Sequence, residues 1–119
     1  MKNLNNLELS NIINALDGRK ADNLRGLQDL NRYTFTIVRG YRVDVDGFGI
    51  DVEADTPEEA VKEAINSVLG TEIVERLLDD SVINVNRLWY LRAEGQDSLI
   101  YELVFRTYDK VYRTIDSIM

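Results

Sequence analysis

Cysteine and histidine are both absent from this chain of 119 residues, and proline occurs once, at Pro57. Without cysteine there is no disulfide, no thiolate nucleophile and no cysteine-ligated zinc. The missing histidine removes the side chain best suited to proton transfer near neutral pH, and with it the commonest metal ligand. Ser-His-Asp and Cys-His triads are therefore excluded. No run approaches the roughly 18 consecutive apolar residues that span a membrane. The opening Met1-Lys2-Asn3-Leu4-Asn5-Asn6 has no apolar stretch of the kind a secretory signal needs. A glycine-rich phosphate loop and a dinucleotide fingerprint are missing as well. Lys20, Lys62 and Lys110 lie in polar surroundings, and no base is available to activate a serine. These absences lead us to expect a cytoplasmic, non-enzymatic protein with no catalytic residues, no cofactor, no metal and no membrane partner.

What is present supports a folded domain. Hydrophobic residues make up 45% of the chain, enough for a core, and the length suits a single domain spanning residues 1–119. Leu9, Ile12, Ile13 and Leu16 make an apolar helical stripe that Asp17-Gly18 ends. A weaker helix is expected from about Asp22 to Leu30, with Leu24 and Leu27 inward, so residues 1–31 read as an N-terminal helical segment. From Tyr33 the period becomes two. Tyr33, Phe35, Ile37, Tyr41, Val43 and Val45 share one face, and Thr34, Thr36, Arg42, Asp44 and Asp46 the other. A long strand bent at Gly40 explains why this parity survives.

Asp46-Gly47-Phe48-Gly49 is a turn signal, and Ile50 to Ala54 returns with Ile50, Val52 and Ala54 inward. Thr56 caps the next helix, Pro57 takes its first position and Glu59 completes a capping box. Ala60, Val61, Ala64, Ile65 and Val68 form its buried stripe up to Gly70. A shorter helix from Thr71 and two strands, about Val82–Ala93 and Leu99–Thr107, complete a ββααββ core over residues 33–107. Trp89 shares parity with Leu91, yet Leu88 and Tyr90 are apolar too, so that strand is expected to be buried on both faces. Tyr108, Val111, Tyr112 and Ile115 suit a closing helix, although β-branched residues would also fit a strand. The expected fold is α+β: two layers, with a four-stranded, mainly antiparallel sheet and helices on one face. Arg87, Arg92, Arg106 and Arg113 are expected to pair with acids inside the fold.

The charge is localised. Residues 44–63 hold eight acids (Asp44, Asp46, Asp51, Glu53, Asp55, Glu58, Glu59 and Glu63) and one base, Lys62. Their excess equals the −7 of the whole chain. Like charges facing each other across a β-ladder cost up to about 1 kcal/mol per pair, so folding alone does not favour this pattern. Three readings compete. A charge run most often means only a solvated face that keeps an edge strand soluble. It also suits an anionic docking surface, where carboxylates along two strands imitate a row of phosphates. The segment from Asp44 to Asp51 superficially resembles a calcium loop, but Phe48 and Asp51 stand at the wrong positions and the flanks are strands.

Phe48, between two glycines at the hairpin tip, either folds back on the sheet or anchors a partner. The hairpin followed by Thr56-Pro57-Glu58-Glu59-Ala60-Val61-Lys62-Glu63-Ala64 is similar to a segment of many small α+β domains, HicB-like antitoxins among them. That likeness is short and reflects general strand-to-helix chemistry, so it carries no residue roles. The net charge disfavours direct nucleic-acid binding and favours a basic protein surface, such as a nucleic-acid-processing enzyme presents. The leading expectation is an inhibitor that docks Asp44, Asp46, Phe48, Asp51, Glu53, Asp55, Glu58, Glu59 and Glu63 on such a surface. Anti-restriction and anti-CRISPR proteins of bacterial viruses work in this style. The rival expectation is a small regulatory or antitoxin-like module that forms a homodimer through a sheet edge or its N-terminal helices. An enzyme built on paired carboxylates and a divalent metal is the third.

Overall fold

A computed structural model describes residues 1–45, 47–69 and 83–119, the side chains of Val68 and Leu69 excepted. The described elements are β1 (Lys2–Asn3), α1 (Asn6–Ala15), α2 (Gly18–Asp29), β2 (Thr34–Val45), β3 (Phe48–Glu53), α3 (Pro57–Leu69), β4 (Ile83–Glu94), β5 (Leu99–Phe105) and α4 (Lys110–Ile118). The fold is α+β, with a mostly antiparallel sheet hydrogen-bonded in the order β1-β2-β4-β5 and β3 pairing with β2. The expected second helix of the ββααββ core, from Thr71, lies outside the described residues.

Backbone contacts divide the chain into two compact units: residues 1–38 with 89–119, and residues 39–88. In the first, Leu9, Ile12 and Ile13 of α1 and Ala21 and Leu24 of α2 are buried with Phe35 and Ile37 of β2. Trp89, Leu91 and Ala93 of β4, Leu103 and Phe105 of β5, and Val111, Tyr112 and Ile115 of α4 complete that core. Fully burying a large apolar side chain contributes about 1.5–3 kcal/mol, so this cluster dominates the unit's stability. The Trp89 indole N–H donates to Asp116 Oδ1 at 3.0 Å, which satisfies the one polar atom of that side chain. Leu88 and Tyr90 are buried as well as Trp89, so β4 is covered on both faces there.

In the second unit Tyr41, Val43 and Val52 pack with Ala60 and Ala64 of α3, flanked by Val45, Ile50 and Val61. The α3 start follows the sequence signals: Thr56 Oγ1 accepts from the Glu59 N–H at 3.2 Å, and Pro57 opens the helix.

Two details differ from the sequence expectation. The first thirty residues are not wholly helical, because Lys2 and Asn3 pair with Ile37 and Thr36 of β2 and make a fifth strand. Two residues carry too little periodicity to announce a strand. α2 begins at Gly18, four residues early, since Gly18 takes a left-handed φ of +57° at the α1–α2 junction and the helix resumes at once. As the preserved parity requires, β2 is one long strand through Gly40. Residues 110–118 are helical, the favoured of the two sequence readings: Asp109 caps them by accepting from the Tyr112 N–H at 3.0 Å.

The N-terminal strand is tied down by one side chain. Lys2 Nζ meets Glu8 Oε2 at 2.6 Å and donates to the Ile118 carbonyl at 3.3 Å, linking β1 to α1 and α4. Glu8 also accepts from the Asn5 N–H at 3.0 Å, while Asn5 caps the Glu8 N–H at 2.8 Å. The Lys2 hydrogen bond, then the Asn5 backbone N–H, hold the Glu8 carboxyl below its ordinary range. A lowered carboxyl stabilises the fold above the ordinary range and loses that contribution as pH falls through its lowered value. Glu8→Gln is therefore expected to melt earlier than wild type at neutral pH. The difference should close on acidification below the ordinary glutamate range, as chemical denaturation across that pH interval measures. A gap that stays constant with pH would rule out this linkage.

Candidate functional site

The β2–β3 register places the acids. Val45 faces Phe48, and Gly47 takes a φ of +87° at the tip. Arg42 then lies opposite Asp51, Asp44 opposite Gly49 and Glu53 opposite Gly40. Asp44, Asp51 and Glu53 do share one face, as alternation requires. The expected like-charge cross-strand pairs do not form among the described residues: each acid meets an arginine or a glycine. Asp46 lies outside the described residues.

Arg42 organises this face. Its Nη1 lies 3.2 Å from Asp51 Oδ1 and its Nε 3.8 Å from Asp44 Oδ1. Gly49 makes the room: a Cβ there would fall against Asp44 Oδ1 and the Arg42 guanidinium, 2.7 Å from its Cζ. The Asp51 side chain retains 15% of its exposure and Asp44 31%, so both carboxylates are partly withdrawn from solvent. The cation between Asp44 and Asp51 is thus a guanidinium, in the segment that superficially resembles a calcium loop. Among the described residues no group of three or more acids converges as a metal site would require.

The remaining acids are arranged differently. Glu53, Asp55, Glu58, Glu59 and Glu63 are exposed. Glu58 and Glu59 stand in the first turn of α3, where the helix dipole favours negative charge. Glu59, Lys62, Glu63, Asn66 and Ser67 line a shallow groove of about 500 Å³ beside α3. Phe48 does not fold back onto the sheet; it is 63% exposed at the hairpin tip. Of the sequence-derived site residues, the structure therefore sets Asp44 and Asp51 apart as an internally paired couple. It leaves Phe48, Asp55, Glu58, Glu59 and Glu63 at the surface of one unit, with Glu53 exposed there but engaged in an interaction of its own.

Counting by unit sharpens the segregation. Residues 39–88 carry twelve acids and five bases, while the other unit carries nine of each. The whole net charge of −7 belongs to the unit that holds the hairpin and α3.

A double-mutant cycle on Arg42→Gln and Asp51→Asn is expected to give a coupling of about 0.5–1 kcal/mol, modest because the pair is partly exposed. Adding Gly49→Ala displaces the guanidinium and should bring that coupling close to zero. Persistence of the full coupling in the Gly49→Ala background would show that the glycine does not house the pair.

No helix among the described residues is long and apolar enough to cross a membrane. Compared with known proteins, the chain matches no family model, no curated protein and no solved structure.

Proposed function

We propose that this protein is a cytoplasmic, non-enzymatic inhibitor that docks the acidic surface of residues 39–69 on a basic protein surface built to receive nucleic acid. The observation that carries the reading is the segregation of charge: one unit holds all of the −7, and the other is neutral. Exposed carboxylates at Glu53, Asp55, Glu58, Glu59 and Glu63 supply the long-range attraction that steers encounter. Phe48, on the same unit, supplies an aromatic of the kind that anchors interfaces. Asp44 and Asp51 shape the hairpin through Arg42 and contribute less to the partner. The style of action is that of anti-CRISPR and anti-restriction proteins. The absence of histidine and cysteine weighs in the same direction, against catalysis.

A second reading has its own observation. β5 ends the strand order, and its Leu99 and Ile100 are exposed, which suits edge-to-edge pairing of two copies in a dimeric regulatory or antitoxin-like module.

Affinity capture with wild type and with a Glu53→Gln, Asp55→Asn, Glu58→Gln, Glu59→Gln, Glu63→Gln variant tests the first reading. The wild type is expected to retain a basic nucleic-acid-binding protein that added DNA or RNA competes away, and the variant to lose it while melting no earlier. Equal retention by the variant would reject the docking surface. Sedimentation of the free protein beside Ile100→Lys tests the second: a dimer that the lysine splits supports it, and a wild-type monomer at all concentrations removes it.

A further inference from the structure

The α1–α2 junction and the β5–α4 junction, both in the first unit, border a cleft of about 750 Å³. Four cationic side chains line it, Arg19, Lys20, Arg106 and Lys110, against two carboxylates, Asp17 and Asp109. Asp109 is engaged as the α4 cap, accepting from the Tyr112 N–H at 3.0 Å. Asp17 precedes α2 but makes no capping hydrogen bond to it. Arg19, Lys20 and Lys110 form no ion pair among the described residues.

This arrangement is unusual for the chain's own composition. Acids outnumber bases by 21 to 14, so carboxylates are plentiful, yet Arg19, Lys20 and Lys110 pair with neither Asp17 nor Asp109, which line the same cleft. Cations gathered in a cleft repel one another. A multiply charged anion would reverse that sign. Arg19 brings a planar fork that matches phosphate oxygens bidentately. The partly exposed Ala15, Leu16 and Val104 add an apolar wall, and the volume falls in the range of roughly 300–1,000 Å³ typical of small-molecule sites. The acids of residues 39–88 are not used, so the inference stands apart from the docking proposal.

We propose that this cleft binds a small phosphorylated compound. Arg19, Lys20 and Lys110 hold its phosphate oxygens, and its organic part lies against Ala15, Leu16 and Val104.

Calorimetric titration of the full chain with inorganic pyrophosphate and with ADP tests it. Saturable binding is expected, weakened about tenfold by Lys20→Gln and again by Lys110→Gln, the scale of one charge-assisted hydrogen bond. Both lysines are exposed, so unliganded melting should not change. Arg25→Gln, also on α2 but paired with Asp22 at 3.2 Å, should bind as wild type. ADP binding tighter than pyrophosphate assigns the apolar wall to the organic part, and equal affinities assign recognition to the phosphates alone. Two results overturn the proposal: no more heat than sodium chloride of equal ionic strength gives, or Lys20→Gln and Lys110→Gln binding as wild type.

Discussion

The register of β2 against β3 is the constraint on which the charge arrangement rests. A one-residue slip would move Tyr41 and Val43 off the α3 contact and expose them, so the apolar alternation fixes the pairing before any charge is considered. Gly47, with its left-handed φ, sits at the tip in that register. Once Val45 faces Phe48, Arg42 must face Asp51 and Asp44 must face Gly49. The ion pairs are consequences of hydrophobic packing on the opposite face.

This explains how the chain tolerates so many acids on one hairpin. The cost of a like-charge ladder is avoided by placing glycine opposite two of the carboxylates and arginine opposite the third. Gly40 and Gly49 thus serve a purpose beyond backbone freedom: neither carries a side chain that would occupy the acidic face. With the β-ladder relieved, the acids on α3 and beyond the strand add little strain. Glu58 and Glu59 suit the start of α3, and stability does not require the others.

Much of the fold was legible in the sequence because it is written in local chemistry. The Leu9-Ile12-Ile13 stripe, the alternation of β2 and the Thr56-Pro57 cap each need only neighbouring residues to be read. Lys2 and Asn3 were illegible as a strand, since their pairing with β2 depends on a partner more than thirty residues away. Arg42 is not legible as a counter-charge because it stands two residues before the acidic stretch, and cross-strand neighbours are set by register instead of spacing. The basic cleft left no signature either. Residues 19–20 and 106–110 are far apart along the chain, and only tertiary packing brings them to one concavity.

The acidic surface and the basic cleft obey the same electrostatics with opposite sign, which decides how they can be told apart. Salt weakens both, because exposed charges are screened beyond about 8 Å at physiological ionic strength. Salt dependence therefore identifies neither. That short screening length also lets a chain of net charge −7 hold an anion at all: the cleft's own four cations and two carboxylates set the local potential, while the bulk charge fades with distance. A polyanion long enough to leave the cleft would lose that protection, whereas a compound carrying two or three phosphates would not. On the proposed reading, the electrostatics of the cleft favour a compact anion over an extended one.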